Sequence, residues 1–353
     1  LKDADATAIY GSRGANGVIL ITTKRAKPGK ISVSVNFFTG WSKTTRTMDY
    51  MNTKQYIEMR KEAFNNDGVM PNASNAPDLL IWDTSRHIDW KKKILGGTSN
   101  TTNAQVRVSG GTKNINYSLN TGYYTEGTVF PGNSNYIRGS SGFNVSTISE
   151  DSKFSSVISA NYTFDKNNLP PQDISVFISN PPNMYEPYDS TGRLLWQEGG
   201  FSYGNAFSYL YQHYRATSDR LIANANLSYK ILDKITIGSN FNFNSVQYDQ
   251  HSTRPIASQN PAFNPRGSAT FYNSSSKIWN IEPRVDYNTS LLSKGTLHVL
   301  IGSSWQQKKD EGVYLTGSGY TNDAQITSIA GAGTVSVQHD YSLYRFSSVY
   351  GRL

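Results

Sequence analysis

Five histidines, His87, His213, His251, His298 and His339, are the side chains best suited to move a proton near neutral pH or to ligate a metal. They are scattered, with no H-E-x-x-H pair or other metal-ligand spacing among them. The neighbouring carboxylates Glu150-Asp151 and Asp310-Glu311 could divide acid and base roles, but they fall at a turn and near a loop, where solvated charge is the ordinary explanation. No G-x-S-x-G elbow stands between a strand and a helix with a His and an acid to serve it. The chain has no cysteine, which excludes thiolate nucleophiles, thiolate metal sites and disulfides within it. The residues therefore point away from an enzyme, and no catalytic residue, metal site or cofactor is assigned. The side chains with most to offer a ligand are aromatic and lie in segment 170–218: Tyr185, Tyr188, Trp196, Tyr203 and Tyr209, together with Phe201, Phe207, Tyr211 and Tyr214. Such rings stack on sugar faces or peptide side chains, and tyrosine gives contact area at low entropy cost. The competing explanation is that they pack the segment onto itself.

What positions these rings is a series of strands. From Ile31 onward, side-chain polarity alternates with period two. Ile115, Tyr117, Leu119 and Tyr123 share one face, opposite Asn114, Asn116, Ser118 and Asn120. Leu221, Ala223, Ala225, Leu227, Tyr229 and Ile231 repeat the pattern against Asn224, Asn226, Ser228 and Lys230. Ile235, Ile237, Phe241 and Phe243 repeat it again, against Thr236, Asn240, Asn242 and Asn244. A soluble sandwich would alternate too, but its strands are typically about five or six residues. Here 235–252 and 277–291 run well beyond that without a break.

The connections alternate in length. Tight turns are legible at 110–114, 150–153, 232–234 and 292–295. Long connections span 43–100, 170–218, 252–276 and 317–334, with a shorter one near Gly132. Short turns on one side and long loops on the other are the asymmetry of outer-membrane barrels. The count is ten strands, five out and five back. One short loop helix is expected, capped by Asn52 with Gln55 three residues on, striped by Tyr56, Arg60, Ala63 and Phe64, and ended by Asn65-Asn66-Asp67-Gly68. Trp41, Tyr123, Tyr124, Phe130, Tyr136 and Tyr248 fall near strand ends, as interfacial aromatic girdles do.

Composition agrees with a wall that has one lipid face and one wet face. Of 353 residues, 37% are hydrophobic and 17% charged, against a typical charged share of roughly a quarter. Asn, Ser, Thr, Gly and Tyr fill the difference. No apolar run approaches the roughly eighteen residues of a membrane helix, which says nothing against membrane strands. The net charge of +8 is spread along the chain, with Lys91-Lys92-Lys93 its one compact run, so no nucleic-acid surface is read from it. Lipopolysaccharide phosphates or an acidic ligand would be served equally well.

The first twenty-five residues, LKDADATAIYGSRGANGVILITTKR, place Gly11, Gly14 and Gly17 before the β-rich run Val18 to Thr23. Glycines at this spacing suit tight turns, and because they precede the strand they form no dinucleotide cradle. The wording YGSRGANGVILITTK, with Arg13 among its glycines, is similar to the closing strands of the plug domain of TonB-linked outer-membrane transporters, most of all the SusC/RagA-like branch. The resemblance is specific over 1–25 and looser beyond. It implies that 1–25 closes a plug and that 31–353 begins a barrel of twenty-two strands. An all-β fold follows, a partial transmembrane antiparallel barrel of about ten strands. The export signal and the TonB-contacting segment are then expected upstream of Leu1, and further strands after Leu353.

The same resemblance implies energy-coupled import of a large solute through a plugged barrel in the Gram-negative outer membrane. Its expected partners are outer-membrane lipid, a TonB complex, a SusD-like surface lipoprotein acting as a lid, and a glycan or peptide ligand. The residues do not choose between glycan and peptide, and family frequency favours glycan. Two other classes stay open on the residues alone: a passive porin, and a β-rich adhesin or glycan-binding surface protein.

Overall fold

The computed structural model describes residues 28–291 and 295–353. Gly11, Arg13, Gly14 and Gly17, expected in plug turns, lie outside these residues, as do three of the four residues of the turn expected at 292–295. A single ten-stranded antiparallel sheet dominates the fold. Its strands are β1 (Gly29–Ser42), β2 (Ser99–Gly111), β3 (Ile115–Gly127), β4 (Asn135–Ile148), β5 (Phe154–Asn167), β8 (His213–Leu232), β9 (Ile235–Arg254), β10 (Gly267–Leu291), β11 (Gly295–Tyr320) and β12 (Thr334–Arg352). Each pairs with its predecessor, with β5 pairing β8 across a small separate hairpin, β6 (Gln197–Glu198) and β7 (Phe201–Ser202). Up-and-down order puts the connections 43–98, 128–134, 168–212, 255–266 and 321–333 all at one end of the sheet.

Register aligns the alternation across strands. Ala225 faces Phe241 and Phe241 faces Ile281, Tyr229 faces Ile237 and Ile237 faces Val285, so the apolar residues form continuous rows on one side. Leu221, Tyr229, Ile231, Ile237, Phe241 and Phe243 are all exposed there. On the opposite side Asn224 faces Asn242 and Asn226 faces Asn240. Asn226 donates to Asn240, Asn240 donates to Glu282 at 3.3 Å, Asn280 donates to Glu282 at 3.0 Å, and Arg284 reaches Asn240 Oδ1 at 3.4 Å. Hydrocarbon cannot satisfy amides and charges, so the apolar face is the lipid face and the amide face the lumen. The one strand proline in this region, Pro283, carries no N–H. The β10–β11 pairing skips from Ile281–Trp305 to Arg284–Gly302 without losing register.

Three expectations are corrected. First, the later strands run further than composition indicates. The connections are 168–212, 255–266 and 321–333 instead of 170–218, 252–276 and 317–334. The run Ser274-Ser275-Ser276 reads as loop, yet it pairs with Tyr248, Gln247 and Val246 on one side and Gly312, Glu311 and Asp310 on the other. Second, parity divides the expected girdle. Trp41 and Tyr123 are exposed on the apolar face, whereas Tyr124 contacts Tyr136 on the polar face at a centroid distance of 6.2 Å. Tyr248 belongs to a polar-face row in which it lies 5.9 Å from Tyr272, itself 6.1 Å from Tyr314, with the Tyr214 hydroxyl 3.2 Å away. Phe130 packs against the loop core described below. Third, the capped helix α1 (Thr53–Asn66), whose box of Asn52 and Gln55 is formed, is joined by two shorter helices, α2 (Pro77–Leu80) and α3 (Trp90–Leu95).

A concavity of about 650 Å³ opens on the apolar face, lined by Phe154, Leu227, Ile237, Phe241, Val285 and Ile301 around the small residues Ser239 and Ser303. In a bilayer it is filled by acyl chains, so it is part of the lipid boundary. Leu227→Arg is expected to destabilise the folded barrel by about 2–4 kcal/mol if the site lies near the midplane. Denaturant titration in lipid vesicles measures this, and a cost near zero would place residue 227 off the lipid face.

Candidate functional site

The long-loop end carries a lobe with its own core. Trp82, Ile88, Trp90 and Ile94 come from 43–98, and Ile174, Met184, Tyr185, Ala206 and Phe207 from 168–212. Local chemistry sets the pieces. Asp89 caps α3 by accepting from the Lys92 N–H at 2.9 Å, which aims Trp90 and Ile94 inward. Asp173 and Asn205 cap the 3₁₀ segments Ile174–Ser179 and Ala206–Tyr211 in the same way. The β6–β7 turn places Gly199 and Gly200 at φ of 57° and 84°, the left-handed pair that a two-residue hairpin requires.

Polar contacts lock the two segments together. Arg86 grips Glu198 through two parallel bonds of 2.6 and 2.8 Å. Trp90 Nε1 donates to Pro181 O at 2.9 Å, and Ile88 N to Pro182 O at 2.7 Å. The buried carboxylate of Asp78 receives Arg60 Nε at 2.7 Å and the Tyr56 hydroxyl at 3.0 Å, while Asn183 donates to the Asp78 carbonyl at 2.7 Å. Burial, then the neighbouring Asp78 charge, raises the Tyr56 pKa well above the ordinary tyrosine value. In the phrase DSTGR, the Thr191 hydroxyl and the Arg193 N–H lower Asp189 to about 2, fixing an exposed turn.

The five candidate rings separate. Tyr185 is 1% exposed, inside the lobe. Its hydroxyl accepts from Tyr203 N at 3.0 Å and lies 2.8 Å from Tyr203 O and 3.0 Å from Trp196 O. It is therefore a staple between strand-like stretches, and its ring is not available to a ligand. Tyr188 is half-buried, edge-on to Phe207 at 5.6 Å. Tyr203 is exposed on one side and edge-on to Trp82 at 5.2 Å on the other. Trp196 and Tyr209 line a pocket of about 620 Å³ between 168–212 and 255–266, with Phe177, Gln212, Arg254 and Phe263. That volume is in the range of small-ligand sites. Arg254 sits on the polar-face parity of β9, fourteen positions beyond Asn240, so the pocket stands at the luminal side of the outer rim. Phe177, Gln212, Arg254 and Phe263 were outside the candidate set, because the pairing of two loops distant in sequence leaves no local signal.

No family model matches the chain. It is 27% identical over an alignment of 378 residues, covering all of this chain and 36% of the relative, to TonB-dependent receptor P26 of Formosa agariphila. It is 38% identical over 125 residues, 35% of this chain and 11% of the relative, to TonB-dependent receptor SusC of Bacteroides thetaiotaomicron. The fold is that of part of the RagAB peptide importer. In the closed-closed state the TM-score is 0.81 at 18% identity, over 99% of this chain and 43% of that one. The chain is similar along its whole length to TonB-dependent receptors of the SusC/RagA kind. TonB-dependent receptors are transporters of the bacterial outer membrane, not enzymes, and the ten strands match part of the RagA barrel. The chain spans a little over a third of the curated relatives that it matches along its whole length.

The lobe yields a test of its staple. Tyr185→Phe removes one hydroxyl and leaves buried backbone groups of Trp196 and Tyr203 without it, a change expected to cost about 1–3 kcal/mol. Limited proteolysis should then cut 168–212 faster while the barrel keeps its heat-resistant migration on a gel. Unchanged cleavage would remove the hydroxyl from the account of the lobe.

Proposed function

We propose that the chain contributes wall and outer loops to a TonB-dependent importer of large polar solutes, and that the solute is an oligosaccharide. Residues 1–25 close the plug in this reading, a TonB complex supplies the driving force through sequence upstream of Leu1, and a SusD-like lipoprotein closes the outer opening. The observation that carries the choice of solute is the rim pocket of Trp196, Tyr209, Phe177 and Phe263 with amide side chains between them, above a lumen wall of Asn, Glu and Arg. Aromatic faces take up the C–H faces of sugar rings, and amides pair with hydroxyl groups. A second reading, peptide import, is favoured by the RagAB peptide importer, whose fold the chain shares.

Replacing Trp196, Tyr203 and Tyr209 together by Ala is expected to reduce uptake or lid association with barrel assembly intact, because no wall strand rests on these rings. Uptake of labelled oligosaccharides by cells carrying the full-length receptor measures the first. Co-purification of the lipoprotein measures the second. Both unchanged would return the rings to packing alone. Uptake that survives deletion of TonB would replace the importer with a passive pore.

A further inference from the structure

The rim pocket has an unbalanced charge that the import reading does not use. Among the residues lining it, Arg254 is the single charged side chain, and none is a carboxylate. Among the described residues nothing bonds or pairs with the Arg254 guanidinium, although elsewhere in the loops Arg60 and Arg86 are matched to Asp78 and Glu198. The groups around it are also unspent. The Trp196 indole N–H, the Tyr209 hydroxyl and the Gln212 amide have no hydrogen-bond partner within the described residues, and the Ser208 hydroxyl takes none either. By contrast Asn205 and Gln259, which border the same space, are committed to backbone carbonyls: Asn205 to Pro187 and Leu195, Gln259 to Pro255 and Arg266. The lining thus divides into groups that build the walls and groups that face a ligand.

We propose that this pocket binds an anionic saccharide, with Arg254 on its carboxylate or sulfate group and the rings of Trp196 and Tyr209 on the faces of adjoining sugars. The inference rests on the import reading and narrows its substrate class. A planar five-donor guanidinium matches either oxyanion in a forked pair. The ligand-facing groups otherwise comprise neutral donors and acceptors, which suit hydroxyl groups. A peptide fits less well, because the lining has no carboxylate to hold an amino terminus or a basic side chain. The pocket is walled on one side by 255–266, where Asn260 caps Pro261–Phe263 and Asn264 at φ of 46° turns the chain, leaving Phe263 79% exposed. An exposed ring fixed in this way is a third stacking face.

The test uses the full-length receptor purified in detergent, wild type and Arg254→Gln, with four probes: tetragalacturonate, a sulfated galactan tetrasaccharide, maltotetraose and tetraglutamate. Calorimetric titration is expected to show tighter binding of one or both anionic sugars than of maltotetraose, weakening as salt rises. Arg254→Gln should weaken that binding by roughly tenfold or more and flatten its salt dependence. The two anionic sugars distinguish carboxylate from sulfate. Trp196→Ala should weaken the anionic sugar without altering the salt dependence, and heat-modifiable gel migration controls for folding in each variant. Three results would each overturn the proposal: neither anionic sugar preferred over maltotetraose, equal binding by wild type and Arg254→Gln, or tetraglutamate as the preferred probe. TonB-dependent uptake of a neutral glycan or peptide by a receptor that binds neither anionic sugar in preference to maltotetraose would show the importer standing and the anionic pocket failing.

Discussion

Inside a bilayer no water is available to an unpaired backbone N–H or C=O, and each one left open costs several kcal/mol. The ladder from β1 to β12 answers that constraint strand by strand, and the rest follows from holding its register. Because the side-chain period is two, one consistent register turns Leu227, Ile237, Phe241, Phe243 and Ile281 to one face and Asn224, Asn226, Asn240, Asn242 and Asn280 to the other. A slip of β9 by one residue against its neighbours would put Asn240 and Asn242 into hydrocarbon. The amide chain through Asn226, Asn240, Glu282 and Arg284 reinforces the register from the luminal side, since its partners meet only when the apolar rows are also aligned.

The sheet is also what lets the loops be elaborate. Strand ends fixed by ladder bonds give 43–98 and 168–212 stable anchors, and the two segments then fold against each other around Trp82, Ile94, Ile174 and Tyr185. Their core is small, so polar locks supplement it: the forked Arg86–Glu198 pair, Asp78 with Arg60 and Tyr56, and the Tyr185 hydroxyl. The rim pocket exists because this lobe is rigid on one side and the capped loop 255–266 on the other. The rim pocket and the polar wall are therefore built on the same strands, with Arg254 at the outer end of β9 and Asn240 further down it.

The wall was legible in the sequence because period-two alternation and turn residues are local signals. The Asn-rich faces of 221–231 and 235–244 are assigned correctly from residue order alone, and so is the capping box at Asn52. Two kinds of feature were not legible. Strand segments beyond the bilayer are polar on both faces, so Ser274-Ser275-Ser276 looks like loop until its partners on β9 and β11 are known. Ring roles in 168–212 depend on contacts with residues about a hundred positions away, such as Trp90 with Pro181, and composition cannot distinguish the buried Tyr185 from Trp196 at the pocket. Parity would have separated Tyr123 from Tyr124 and removed Tyr248 from the girdle. Proximity to strand ends was the weaker guide.

The assignment of faces is the claim on which the wall, the lumen and the pocket's access all depend, and a spin-label scan tests it directly. This chain has no native cysteine to interfere. Single cysteines at positions 235 to 244 of the full-length receptor, labelled and reconstituted in lipid vesicles, would be read by collision with oxygen, which concentrates in hydrocarbon. The account requires oxygen accessibility to peak at positions 237, 241 and 243 and to fall at 240, 242 and 244, with a period of two. Peaks at the asparagine positions, or accessibility without that period, would contradict it.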